Sequence, residues 1–427
     1  MSSDQIIVIG AGIIGTSIAS SLSRRGVPVL VVDAGEPLYG TSSANAGHFV
    51  PSHVLAFAAP GMVEAGFRSW RNRDGAFALN PSLRGDGAQW LARFVSACTQ
   101  ENVAKAAPAL RGLFDLTRQQ LERLVVAGAS FDFQSGGLIQ VFTEQSSLDG
   151  ARHEIDVMRG LGVEVDELSS DQLRAVEPTL RGVAGGFRLV NDGRLDPALL
   201  LSVLKTEAIA HGAQYVLASV REIRPTSAGV NVVTTAGTKS GAQVVVAAGV
   251  WTPALVAALG VRLPIIAAKG YSVTVAGVAN PPRSPLLLVD QRLAVAAMNR
   301  GLRITGRYEL TNAGDRSIPP ERVTALVDLA RPVLGLSSDV VTTEPWTGLR
   351  PASPDGLPVL GRLSSDDRVL VCAGHGMLGT ASGPGTGEAV ASVICGESLA
   401  FDVAALSPER FGSIDVRGLG RGFRRSS

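Results

Sequence analysis

Residues 6–15 read Ile6-Ile7-Val8-Ile9-Gly10-Ala11-Gly12-Ile13-Ile14-Gly15, four β-branched residues running into a G-x-G-x-x-G. An unbroken apolar run of this kind is the signature of a strand buried on both faces of a parallel sheet. Gly10 permits the tight turn, Gly12 lets the backbone come close to a pyrophosphate, and Gly15 lets the next helix pack on the strand. The helix should run to Arg24 and Arg25, with Gly26 as its stop signal, and a second buried strand over 27–32 should end at Asp33. A helix N-terminus offers unpaired N–H groups and partial positive charge to phosphates. A carboxylate at Asp33, followed by Ala34, can accept hydrogen bonds from ribose hydroxyls. A glycine motif alone would also fit a bare strand-to-helix turn. Strand, helix and acid together point to a bound dinucleotide.

Composition narrows the classes outside this unit. The chain has 427 residues, 45% of them hydrophobic, which is too much for one simple core and predicts two lobes. The net charge of +1, with no basic stripe, gives no reason to expect nucleic acid. Arg417, Arg421, Arg424 and Arg425 read as a frayed terminus. The three cysteines, Cys98, Cys372 and Cys395, form no C-x-x-C pair, so neither a disulfide framework nor a metal site is expected. Two uncharged stretches, 6–23 and 242–261, are broken by Gly10, Gly12 and Gly15 and by Gly249, Trp251 and Pro253. They read as strand–turn–helix rather than as a leader or a membrane span. The expected location is the cytoplasm, with peripheral contact at the inner membrane left open.

Further along, residues 52–128 look mostly helical, with Leu110, Phe114, Leu121, Leu124 and Val125 at helical spacing. Residues 131–141 look like strand and turn around Gly136 and Gly137. Asp196-Pro197 opens a helix that Gly212 stops. Short strands are expected at 215–223, 230–235, 243–247, 263–276 and 286–306, and a helix at 319–333. At the end come a strand at 369–373, a glycine-rich loop and a helix at 387–395. Elements of both kinds interrupt the nucleotide-binding parts, so the two lobes should interleave.

Four more segments carry chemistry. Thr41-Ser42-Ser43-Ala44-Asn45-Ala46-Gly47-His48 supplies small hydrogen-bonding residues beside which a flat ring system can lie. The strand at 244–247 ends in Ala248, Gly249 and Trp251, and Val220 is a further candidate on the nucleotide side. Trp346-Thr347-Gly348-Leu349-Arg350-Pro351 precedes Asp355-Gly356-Leu357-Pro358. Gly374-His375-Gly376-Met377-Leu378-Gly379-Thr380 leads into the last helix, whose N-terminus could stabilise negative charge on a reduced flavin. With Lys269-Gly270-Tyr271-Ser272, these segments, in this order, make the chain resemble the D-amino acid dehydrogenases of the glycine oxidase and D-amino acid oxidase superfamily.

The resemblance implies an α/β fold, a glutathione-reductase-type FAD-binding Rossmann domain interleaved with an α+β substrate domain holding a mixed, largely antiparallel sheet. The expected boundaries are 1–85, 144–257 and 341–413 for the FAD domain and 86–143 and 258–340 for the substrate domain, with a tail at 414–427. Sarcosine-oxidase relatives attach the flavin through a Cys at the position of Gly348, so FAD should be non-covalent here. The segments Thr380–Gly383, Gly306-Arg307-Tyr308-Glu309 and His48-Phe49-Val50-Pro51 depart from the commonest family patterns, which leaves the substrate open.

An amino or imino acid substrate must have its carboxylate fixed and its Cα–H presented to flavin N5. Arg350 leads for the carboxylate, because a guanidinium makes two parallel charge-assisted bonds. Arg303 and Arg307 are an even number of residues apart and should share one strand face. Tyr271 could add its hydroxyl or simply pack in the core, and His48 could touch the substrate or order its loop. His375 should shape the flavin loop. The activity so implied is oxidative deamination of a D-amino acid, or a related amino or imino acid, to an imino acid that hydrolyses to a 2-oxo acid and ammonia. The electrons would go to a quinone or to oxygen. An oxidase or dehydrogenase of hydroxyproline, sarcosine or glycine, or a non-catalytic flavin subunit of a larger complex, are the alternatives. Oligomeric state is not legible.

Overall fold

The computed structural model describes residues 4–35, 40–64, 66, 77–80, 83 and 85–412. The expected tail at 414–427 and its arginines lie outside them. The opening unit folds as its residues dictate, with Ile6–Ile9 buried at all four positions, a helix at Ile13–Arg24 and a strand at Val29–Asp33. These build a six-stranded sheet in the order Gln214–Leu217, Val29–Asp33, Ile6–Ile9, Gln243–Val246, Asp366–Ala373 and Val359–Leu363. All pairings are parallel except the last, which is antiparallel.

Because side chains alternate across a strand, the first strand serves two cores. Ile6 and Val8 pack into a helical layer that holds Leu22, Leu200, Leu204 and Val390. Ile7 and Ile9 pack on the other side against Ile223, Val230 and Val232. Those three belong to a three-stranded meander of Val220–Thr226, Gly229–Thr234 and Gly237–Gly241. The nucleotide-side lobe is therefore helix, parallel sheet and small antiparallel sheet in three layers.

The second lobe is a nine-stranded mixed sheet. Its main path runs Val341–Ala352, Ile266–Ala276, Gly301–Thr311, Leu293–Met298, Leu286–Leu288, Leu138–Phe142, Gly185–Leu189 and Val165–Ser169. Phe77–Leu79 adds to Gly301–Thr311 in parallel, and Leu286–Leu288 runs parallel to Leu138–Phe142; the other pairs are antiparallel. The helix Pro320–Leu334 covers one face, burying Leu326, Val327, Ala330 and Val333 with Val273, Val295 and Ile304.

Several expectations are corrected. The strands at 165–169, 185–189 and 341–352 were expected with the FAD domain, yet they pair within the larger sheet. Their partners, Leu138–Phe142 and Ile266–Ala276, are distant in sequence, and local periodicity carries no information about such pairing. The helix Gln100–Val126, expected with the substrate domain, buries Leu110, Leu113 and Phe114 in the core of the nucleotide-side helices. Residues 52–61 are turns rather than helix, in a stretch that Pro51, Pro60 and Gly61 punctuate. The glycine-rich stretch at 379–386 is itself helical, within Gly379–Cys395. The last helix runs directly against the first. A Cβ on Gly387 would lie 2.5 Å from the Ser17 carbonyl carbon and 2.6 Å from its oxygen, so glycine is what permits that approach.

Among the described residues, no helix is long and apolar enough to cross a membrane. Gly387→Val should force the first and last helices apart and destabilise the protein by about 3 kcal/mol or more, readable as a lowered denaturation midpoint.

Candidate functional site

The turn after the first strand is held in a conformation that glycine favours. Gly10 has φ 107°, and a Cβ there would sit 2.5 Å from the Ala247 carbonyl oxygen. Gly12 caps the helix without a side chain, and the Ser42 hydroxyl accepts from the Ile13 N–H at 2.9 Å. Asp33 already works within the protein, accepting from the Ala11 N–H and the Gly35 N–H at 2.7 Å each. A carboxylate has about four acceptor positions, so two bonds leave capacity for a ribose.

These residues line a cavity of about 500 Å³. Gly10, Gly12, Ile13, Ile14, Asp33 and Ala34 form one end. Thr41, Ser42 and Asn45, with Val220, Ala248, Gly249 and Trp251, form its walls. His375, Gly376, Gly379, Thr380 and Arg350 close the other end. The remaining candidates support it from behind. Gly15 packs beneath Gly10, the Ser43 hydroxyl points to the Gly40 carbonyl at 3.5 Å, and Ala46 leads into Gly47, whose carbonyl accepts from the Leu195 N–H. Gly374 and Leu378 line a neighbouring cavity instead.

The loop at 41–47 is tied to the chain's distant parts by side-chain bonds. Thr41 donates to the Leu349 carbonyl at 2.7 Å. Asn45 Nδ2 donates to Thr380 Oγ1 at 2.9 Å and to the Ser42 carbonyl at 3.1 Å, while Asn45 Oδ1 accepts from the Gly47 N–H at 2.9 Å. The cavity thus has an acid at one end, small residues along its walls, and the N-termini of two helices, Ile13–Arg24 and Gly379–Cys395, neither capped by its own N-cap side chain. This donor set fits FAD: acceptor capacity for a ribose, helix dipoles for phosphates and for a reduced ring, and little bulk between them.

Sequence reasoning missed Ser219 and Arg316 in the lining, and it named Leu349 and Met377 only as members of their motifs. Arg316 comes from a loop far along the chain and places its guanidinium 5.8 Å from the Trp251 ring centre; nothing in its surroundings in sequence marks it. Cys372 also lines the cavity, and burial pushes its thiol pKa far up, so it stays protonated.

The five side chains expected around the substrate separate. Arg350 lines the cavity. Its Nη1 donates to the Arg307 carbonyl at 2.9 Å, and its Cζ lies 5.8 Å from the Tyr308 ring centre. It makes no ion pair with any described residue, and burial lowers its pKa, though not enough to discharge an arginine. A Cβ on Gly270 would fall 2.2 Å from the Arg350 guanidinium, so the glycine before Tyr271 is the space in which that group lies.

Tyr271 is not brought to the cavity. It is 1% exposed, and its hydroxyl donates to Glu309 at 3.0 Å. Arg303 and Arg307 do not line the cavity either. The pairings Tyr271 with Gly306 and Lys269 with Glu309 set Arg307 and Tyr308 together opposite Gly270, a bulge with Arg307 at φ 70°. The expected shared face stops at Gly306, because a bulge interrupts side-chain alternation. Arg303 donates instead to the Asn45 carbonyl at 3.3 Å.

His48 is held by the Val295 carbonyl at 3.1 Å, and burial lowers its pKa to about 4. His375 is 3% exposed, bonds Thr386 through Nε2 at 3.2 Å, and is lowered by burial to about 3. Nearby His53 is likewise lowered to about 4. Behind it, Ser52 donates its hydroxyl and its N–H to the fully buried Asp192, at 2.5 and 3.0 Å.

Comparison with known proteins bears on the family. The chain is 32% identical over 425 residues to the D-amino acid dehydrogenase of Cereibacter sphaeroides, covering 97% of each chain. Among solved structures it resembles glycine oxidase from Geobacillus kaustophilus, with a TM-score of 0.75 at 23% identity over 95% of this chain and 99% of that one. It also resembles the L-amino acid deaminase of Proteus myxofaciens, with a TM-score of 0.73 at 15% identity over 96% and 94% of the two chains. Residues 5–393 match the DAO family of FAD dependent oxidoreductases. The chain belongs to that family.

Proposed function

We propose that this oxidoreductase removes hydride from the Cα of a D-amino acid, and that Arg350 is the group that holds the substrate's carboxylate. One observation carries the reading: a guanidinium that lines the cavity, is desolvated, and has no carboxylate partner among the described residues. A buried charge without a counterion is costly, and a substrate carboxylate in the guanidinium's fork would remove that cost. The bond from Nη1 to the Arg307 carbonyl fixes the plane of the fork, and Gly270 gives it room.

Bound FAD would supply the hydride acceptor at N5. As hydride leaves Cα, the nitrogen lone pair forms the C=N bond, so the amine must arrive unprotonated. The resulting imino acid then hydrolyses to a 2-oxo acid and ammonia. No side chain is required as a base, and those nearby are poorly suited, since His48, His53 and His375 have pKa values of about 4, 4 and 3. The protein contributes orientation and electrostatics. Non-covalent attachment is supported by Cys372, whose protonated thiol is a poor nucleophile. The D configuration and an acceptor other than oxygen are supported by the relatives named D-amino acid dehydrogenase. The fold does not choose, since it also houses an L-amino acid deaminase. A quinone as acceptor would bring the chain to a membrane surface.

Anaerobic titration tests the reaction. Addition of a D-amino acid should bleach the visible flavin band, its L-enantiomer should not, and on admission of air the reduced flavin should persist, reoxidising only slowly and so releasing little peroxide. A flavin reduced only by L-amino acids, or by none, would overturn the reading. Arg350→Ala should lower kcat/KM for a D-amino acid by about 2–5 kcal/mol, on the order of thirtyfold to several thousandfold. Arg350→Lys, which keeps the charge and loses the fork, should recover only part of this.

The pH profile separates the substrate amine from the histidines. Their depressed pKa values leave them neutral throughout pH 5.5–8, so none changes charge there. Hence kcat/KM should rise steadily with pH as the substrate ammonium deprotonates. Burial raises the Asp192 carboxyl to about 7, so the contradicting result is an inflection near 6.5, the ordinary histidine value, that persists in Asp192→Asn.

A further inference from the structure

A second cavity, of about 400 Å³, abuts the first, and His375, Gly376 and Met377 form the wall common to both. The carboxylate-binding arginine leads into it. Arg350 lies 5.8 Å from the ring centre of Tyr308, which lines the second cavity and is stacked at 5.0 Å on Phe57, another of its lining residues. The buried part of its lining holds the apolar Ala56, Val103 and Met158 together with Ser52, Ser353 and His375. The exposed part holds the polar Gln100, His153 and Glu154 beside Pro60 and Met377. The space therefore adjoins the flavin cavity at His375, Gly376 and Met377, includes two stacked aromatic rings and reaches exposed residues.

Resting on the function proposed above, we propose that this second cavity receives the substrate's side chain and selects large apolar ones, of the size of leucine, methionine or phenylalanine. A carboxylate on Arg350 sets Cα beside Tyr308, and the substituent on Cα then points along the stacked rings. Glycine or alanine would leave the apolar wall facing water. Each methylene buried against such a wall is worth about 10- to 200-fold in discrimination. Three methionines, Met62, Met158 and Met377, line the cavity, and flexible thioethers adapt to both branched and aromatic shapes.

The test is anaerobic flavin reduction by glycine and by the D-enantiomers of alanine, leucine, methionine and phenylalanine. The ratio of reduction rate constant to Kd is compared between substrates. The three large substrates should exceed D-alanine by tenfold or more. Val157→Trp, which fills the cavity from the helix Gln145–Gly160, should cut the phenylalanine-to-alanine ratio by at least tenfold. A wild-type ratio of one or less overturns the proposal even if that variant does not fold. So does a ratio that a folded variant leaves unmoved. If no D-amino acid of any size reduces the flavin, the functional reading fails and takes this inference with it, a result distinct from reduction by small substrates alone.

Discussion

The side-chain amide of Asn45 donates to Thr380 Oγ1 and to the carbonyl of Ser42, and its oxygen accepts from the Gly47 N–H. Through this one residue the loop after the first β-α-β unit is clamped to the N-terminus of the last helix. Thr41 makes the matching link to the strand that carries Arg350, and Ser42 closes the first helix. The loop and the first helix are therefore joined to a strand and a helix some three hundred residues away through hydrogen bonds of three side chains, Thr41, Ser42 and Asn45. The cavity has its shape because these bonds hold, and the small residues of the loop are small because ligand, helix and strand all crowd onto it.

The parts of the fold that local physics decides were legible in the residues. The glycine turn, the two buried strands around it and the helix that Asp196 caps, with its carboxylate accepting from the Ala198 and Leu199 N–H groups, needed no distant partner. What was not legible depended on partners remote in sequence. Tyr271 looked free to reach a ligand until Glu309, thirty-eight residues on, took its hydroxyl. Arg303 and Arg307 looked aligned until a bulge opposite Gly270 broke the alternation. The 379–386 segment looked like a loop because its glycines are poor helix formers. Close packing overrides that propensity: a Cβ on Gly383 would lie 2.9 Å from the Ile13 side chain, and one on Gly385 would lie 2.1 Å from the Leu113 carbonyl oxygen.

Arg350 shows how a site can be built around a missing charge. Its guanidinium is held by a backbone carbonyl, faced by an aromatic ring and given room by a glycine, yet it meets no described carboxylate. Each of these contacts orients the group without neutralising it. The nearby polar network behaves oppositely. Lys269 is paired with Asp315 at 2.6 Å, and Tyr271 with Glu309, so those side chains are spent on holding the sheet together. Neighbouring residues on two paired strands thus differ in having a carboxylate partner or not, and the difference follows from which partners the sheet register supplies.

The order of strands in the parallel sheet has a consequence for synthesis. The first strand lies between Val29–Asp33 and Gln243–Val246, and the sheet is completed only by strands beyond residue 358, while the last helix seals the first. A chain leaving the ribosome can form its opening β-α-β unit early, but that unit remains open on one edge for more than two hundred residues of translation. Until the final helix emerges, the Asn45 clamp has no Thr380 to close on. The cavity's walls are thus complete only when the whole polypeptide is, long after the glycine motif that first announces them has been made.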